Sequence, residues 1–309
     1  MGLCEKVTRS SFFLVLAMIS SPTIAQGMRD VEIKAEKVSG NVYILYGQGG
    51  NIGLSVGEDG AFLIDDQFAP LTVKILQAVE ELTDKPVKFL INTHWHSDHT
   101  GGNENFGESG AIIVAHENVR KRMSTDQFIA AFNAEVPAAP RAALPVVTFD
   151  DSIRFHYNGD QIDVIHVDPA HTDGDSIIFF RGANVLHAGD TFFNGMYPFI
   201  DVGTGGSIDG MIAAADTILE KVNAKTRIIP GHGQLCGVEE LHGYRDMLVT
   251  ISERMHKLID EGKSKDEIIA AKPTADLDEQ WGGGFLNADR WVGIVYDGIV
   301  AEPQEDHDD

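Results

Sequence analysis

Six consecutive residues, His94-Trp95-His96-Ser97-Asp98-His99, carry three imidazoles and a carboxylate. Such groups are costly to bury without partners, so a fold that gathers them must supply a compensating charge. The cluster directly follows Val87–Ile91, a short apolar run that reads as a buried strand. On an extended backbone, residues two apart point to the same side. His94 and His96 can therefore grip one ion together. The chain must turn after that, which frees Asp98 and His99 for a second ion. Gly101 and Gly102 suit a sharp turn or a close backbone approach. The donor types suit zinc, although imidazole also accepts iron, copper and nickel.

This cluster cannot close two coordination shells alone. Three later fragments carry the right residue types: His171 in a polar turn between strands, Asp190 after the apolar run Val185–Ala188, and His232 flanked by Gly231 and Gly233. Read singly, these are also a loop histidine, a turn or capping aspartate, and a second loop histidine. Each follows or borders a strand, which allows all three to converge at one rim.

The surrounding pattern is strands then helix, twice. Val31–Lys37, Val42–Tyr46, Asn51–Val56 and Ala61–Ile64 read as antiparallel strands. Pro70–Leu82 then has helical apolar spacing, with Pro70 suited to the first turn. Ala111–Val114 reads as a strand, and Glu117–Met123 as a short helix. Ser124–Pro145 is rich in Ala and Pro and reads as a connecting excursion that either covers the site or forms a surface loop. A second strand group follows: Ser152–His156, Gln161–His166, Ser176–Phe180 and Val185–Ala188. Ser207 can cap a helix through Val222. Arg227–Ile229 is a short strand, and Val238–Glu261 a long amphipathic helix. Lys265–Ala271 and Ala288–Val300 read as helices. A mixed α/β (α+β) fold, with two sheets face to face and helices outside, satisfies this order.

The formal net charge of −23 argues against nucleic-acid binding, and no local basic patch offsets it. No apolar segment reaches the roughly 18 residues of a membrane span. The expected partner is a small-molecule substrate. Lys6 and Arg9, the apolar stretch Phe12–Ile19 and the small residues before Gln26 read as a bacterial signal peptide over residues 1–25. The remaining length suits one large domain or two modest ones; residues 26–300 are expected to form one catalytic domain, with 301–309 an acidic, disordered tail. The expected location is periplasmic or secreted. Cleavage would leave Cys236 as the one cysteine, with no intramolecular disulfide.

The string His94-x-His96-x-Asp98-His99, then His171, Gly189-Asp190 and Gly231-His232, resembles the metallo-β-lactamase superfamily in order and interval. The resemblance covers roughly Val31–Leu248 and implies an αββα sandwich with two Zn²⁺ ions at one edge. It implies that His94, His96 and His171 hold the first metal and Asp98, His99 and His232 the second, with Asp190 bridging. Asp65 matches an early aspartate expected to orient a ligand histidine.

The resemblance implies hydrolysis by a metal-bound hydroxide attacking a carbonyl, with Asp98 orienting it. The first substrate choice is a β-lactam, and the alternative is a lactone or thioester. Classical zinc β-lactamases commonly carry a cysteine where this chain has Asp190, and a lysine where it has Phe193. Asp190 resembles the glyoxalase II pattern instead. A further alternative is a mononuclear iron dioxygenase of sulfur compounds, which the full second donor set disfavours. Phe192–Phe199 reads as an aromatic wall or as core. Trp281 with Gly282–Gly284 reads as a surface turn, with a lid as the alternative. His187 reads as a hydrogen-bonded core histidine, and His116, His156, His166, His242 and His256 as structural.

Overall fold

The computed structural model describes residues 28–301. The expected signal segment lies outside the described residues, as does the acidic tail apart from Ala301, which closes the last helix.

The first sheet begins with β1 (Lys34–Ser39), β2 (Val42–Tyr46), β3 (Ile52–Gly57) and β4 (Gly60–Ile64), paired antiparallel. It continues in parallel through β5 (Val87–Ile91), β6 (Ile112–His116) and β9 (Val147–Phe149). Between β6 and β9 lies a small hairpin, β7 (Gln127–Ile129) with β8 (Ala134–Val136). The second sheet runs β10 (Ser152–Tyr157), β11 (Asp160–His166), β12 (Ser176–Phe180) and β13 (Val185–His187), all antiparallel. It ends in β14 (Arg227–Ile229), parallel to β13.

Strand β4 shows how the layers arise. Successive side chains of a strand point to opposite faces. Phe62 and Ile64 enter the core between the sheets, while Ala61 and Leu63 face a core shared with helix Thr72–Glu80. Both faces are covered, so β4 reads as an unbroken apolar run. On the far side, Ile177, Phe179 and Leu186 pack against helices Ile208–Lys221, Val238–Asp260 and Ala288–Ala301. The result is the four-layer sandwich expected from the element order.

Phe62 joins the layers. Its ring lies 5.1 Å from Phe155 on β10 and 6.3 Å from Phe180 on β12, both close to edge-on. At one rim, Asn51 fastens the two sheets. Its amide donates to the carbonyls of Pro230 and Gly233, at 2.9 and 2.8 Å. Its own carbonyl lies 3.0 Å from His187 Nε2. His187 is buried, so the core reading holds.

The first strand starts three residues later than expected, at Lys34 rather than Val31, and its outer residues are exposed. Ser124–Pro145 is not featureless: it holds the β7–β8 hairpin around the 3₁₀ turn Ala130–Phe132. Strands of three residues are too short to show a period. Trp281 is buried rather than in a surface turn, because Tyr197 N–H donates to its carbonyl at 2.9 Å and its ring joins the helical core. Among the described residues no helix is long and apolar enough to cross a membrane.

Truncating the inter-sheet ring tests the packing. Phe62→Ala should destabilise the fold by about 3–5 kcal/mol, read as a lower urea midpoint at unchanged slope.

Candidate metal centre

The site forms where strands end. Asp65 leaves β4 in the left-handed region, at φ 60°, which aims its buried carboxylate along the rim. β5 delivers Asn92 to His96 next, and a single helical turn, Ser97–Thr100, carries Asp98 and His99. β13 delivers Gly189-Asp190, and β14 delivers Gly231-His232. His171 comes from the turn between β11 and β12.

Two glycines are required by close approach. A Cβ on Gly231 would lie 2.0 Å from Asp190 Oδ1, and one on Gly101 would lie 2.5 Å from the Ser97 carbonyl. Gly101 has an ordinary helical φ of −65°, so close approach rather than a sharp turn explains it.

Hydrogen bonds fix which nitrogen each histidine offers. Thr93 Oγ1 donates to Asp65 Oδ2 at 2.7 Å and therefore accepts from His94 Nδ1 at 3.0 Å. His96 Nε2 donates to Asp201 Oδ2 at 3.1 Å. His171 Nδ1 donates to the Phe199 carbonyl at 2.8 Å. The three remaining nitrogens, His94 Nε2, His96 Nδ1 and His171 Nε2, are then bare lone pairs. They lie within 4.8 Å of one another, and His96 Nδ1 is only 2.9 Å from His171 Nε2. Among the described residues, buried His94 Nε2 has no hydrogen-bond partner. Converging lone pairs in a buried place call for a cation.

A second group adjoins the first. His99 Nδ1 is held by Asp65 Oδ2 at 2.7 Å. His99 Nε2 lies 3.1 Å from Asp190 Oδ1 and 3.7 Å from Asp98 Oδ2. His232 Nε2 lies 3.3 Å from Asp98 Oδ2 and 3.4 Å from Asp190 Oδ2. Asp190 also reaches back to the first group, 3.5 Å from His171 Nε2 and 3.8 Å from His94 Nε2. One carboxylate thus stands between two clusters of donors.

Electrostatics divides the two groups. Burial, with the charge of His99, drives His94 well below the usual histidine range, and burial brings His171 down to about 4. Both offer neutral imidazole. Burial also opposes charge on His232, but Asp190 and Asp98 overcome it and raise His232 to about 9. The same balance, led among the charges by Asp190, raises His99. Burial would raise Asp98 and Asp190, yet His99 and His232 hold Asp98 down to about 2 and Asp190 well below the carboxylate range.

All seven residues singled out as donors meet at this rim, with Asp65 behind them. Two carboxylates went unnoticed in the sequence. Asp201 orients His96, and Asp175 Oδ2 accepts from the backbone N–H of His171 and Thr172 at 2.7 and 2.9 Å. Asp175 sits in the polar turn with His171, a signal that was available. Asp201 sits in Phe199-Ile200-Asp201-Val202, where a lone acid in an apolar run is the only clue.

The sequence model described as the metallo-beta-lactamase superfamily matches residues 45–232. The chain belongs to the metallo-beta-lactamase superfamily. Its His and Asp groups are donors suited to divalent cations. It is 26% identical over 178 residues to a hydroxyacylglutathione hydrolase of Pelagibacter ubique, covering 56% of this chain and 61% of that protein. The chain thus matches less than two thirds of that relative. A metallo-beta-lactamase from Pontibacter korlensis superposes with a TM-score of 0.58 at 21% identity, over 70% of this chain and 99% of that one. A double mutant of the sec-alkyl sulfatase PisA1 gives 0.65 at 17% identity, over 89% of this chain and 51% of that one. These likenesses show the metallo-β-lactamase fold.

Removing the group that fixes a histidine should loosen metal. Asp65→Ala and Asp201→Ala should each weaken metal affinity by about 10–100-fold, read by competition with a chromogenic chelator. Unchanged affinity in both would remove the orienting role. Metal binding should also release protons. His232, near 9, is largely protonated at pH 7.5 and must be neutral to ligate, so affinity should fall as pH falls. Titration in buffers of different ionisation enthalpy reads the proton count, and zero release would contradict the assignment.

Proposed function

We propose that this protein is a dinuclear zinc hydrolase that cleaves an activated carbonyl bond. The observation that carries the reading is Asp190, one carboxylate 3.1–3.8 Å from histidine nitrogens of both donor groups. His94, His96 and His171 would hold one zinc ion, and Asp98, His99 and His232 the other. An all-nitrogen and oxygen donor set with no thiolate fits zinc. A bound zinc pair supplies Lewis acidity, polarising a substrate oxygen and bringing the pKa of water toward about 7.

The chain's own residues do the rest. Asp190 and Asp98 keep negative charge between the histidines. Asp98 is the more open of the two, with its side chain 28% exposed against 5% for Asp190. Its carboxylate is therefore placed to orient water. Asp65 holds the His99 ring directly and the His94 ring through Thr93, and Asp201 holds the His96 ring.

Substrate preference turns on Phe193. It is buried and stacks on His232, with ring centroids 5.1 Å apart and planes 16° apart. A substrate carboxylate finds no cation at that position. This weighs toward a neutral lactone or ester and against the β-lactam taken first from the sequence, which solved β-lactamases of the same fold keep in play. Thioester hydrolysis rests on the similarity to the hydroxyacylglutathione hydrolase. The reading also includes export to the periplasm or medium, supported by the apolar stretch Phe12–Ile19.

Purified protein should hold about two zinc ions per chain, and chelation should abolish hydrolysis of whichever lactone, ester, thioester or β-lactam it turns over. One iron per chain with oxygen consumption would replace this reading with oxygenase chemistry. Full activity without metal would end it.

A further inference from the structure

Four phenylalanines complete a circuit of rings with His171 and His232. From His171, Phe199 lies 5.6 Å away, and Phe132 lies 4.8 Å beyond it. Phe285 is 6.4 Å from Phe132, and His232 is 6.4 Å from Phe285. Phe193 closes the circuit, 5.1 Å from His232 and 6.0 Å from His171. Phe193 and Phe199 are buried, whereas Phe132 is 39% and Phe285 55% exposed. The circuit is therefore floored by packed rings and rimmed by open ones.

A single exposed aromatic needs no explanation. Here two exposed rings from distant segments meet beside the histidines, and each segment is anchored. Phe132 sits on the 3₁₀ turn of the β7–β8 hairpin. The Arg290 guanidinium stacks 4.8 Å over its ring and donates to the Ala131 carbonyl. Phe285 follows a segment held by Tyr197, whose N–H donates to Trp281 O and whose hydroxyl donates to Asp278 Oδ1, both at 2.9 Å. Gly284 packs on Met196, where a Cβ would lie 2.8 Å from the methionine Cβ. Anchoring removes the ordering cost that a floppy apolar flap would incur on binding. Among the described residues, Arg290 is the cation against these rings, and it is committed to a backbone carbonyl.

We propose that Phe132, Phe199 and Phe285, floored by Phe193, bind an apolar acyl or aryl group of the substrate beside the metal donors. Phe132 and Phe285 are its specificity-determining residues. The inference rests on the hydrolase reading for its reaction, but the wall is testable by binding alone. Each methylene fully removed from water strengthens binding about fourfold.

The test is calorimetric titration of the zinc-loaded protein with acetate, butyrate, hexanoate and phenylacetate. Hexanoate and phenylacetate should bind at least about 10-fold more tightly than acetate. Phe132→Ser/Phe285→Ser should flatten the series to within about threefold, while acetate affinity and zinc content stay at wild-type values. Both side chains are exposed, so the variant retains its core. A flat wild-type series, no binding of any acid, or an unchanged gradient in the double variant would overturn the proposal. Parallel assays of acetyl and hexanoyl nitrophenyl esters separate the two readings. A gradient in binding with no ester, lactone, thioester or β-lactam hydrolysed supports the wall and removes the hydrolase. Hydrolysis of both esters at equal kcat/KM, with a flat binding series, removes the wall and keeps the hydrolase.

Discussion

Three nitrogen lone pairs aimed at one buried point repel one another, and among the described residues no hydrogen bond relieves them. Each imidazole proton is already committed, to Thr93 and thence Asp65, to Asp201, or to the Phe199 carbonyl. A histidine free to rotate or exchange tautomers would escape by turning its proton inward. These cannot, so the arrangement is stable only with positive charge at its centre. The burial that lowers the basicity of His94 and His171 acts in the same direction, because it disfavours filling the point with protons.

The fold is what makes such a concentration tolerable. Every donor hangs from the end of a strand or from a turn tied to one, and the two sheets are stitched at that rim by Asn51. Asp65 serves both donor groups, directly at His99 and through Thr93 at His94. Its left-handed backbone is a local cost of order 1 kcal/mol that the surrounding hydrogen bonds must offset. Metal affinity and folding are coupled here, since the ligands exist as a set only in the packed sandwich.

Much of this was legible in the residues. A dense run such as His94 to His99 has few structural uses, and the period-two argument for His94 and His96 needed only a preceding strand. Resemblance supplied the partition of seven donors between two ions, which no spacing rule delivers. Asp201 was not legible, because its role depends on a loop returning across the sequence to His96. Phe132 and Phe285 were hidden for a similar reason: composition cannot show that a hairpin tip and a C-terminal segment meet over the same histidines. Trp281 misled because its glycine neighbours suggest a turn, while its ring is needed by the helical core. Short strands such as β7, β8 and β9 carry too few residues for a periodic signal.

The whole account requires two cations at stated places, so diffraction at the zinc absorption edge is its most direct test. Crystals of zinc-loaded protein should show two anomalous peaks about 3.5–4 Å apart. One should sit among His94, His96 and His171, and the other among Asp98, His99 and His232, with Asp190 between them. A single peak, or peaks away from these side chains in a protein that is folded and zinc-saturated, would contradict it.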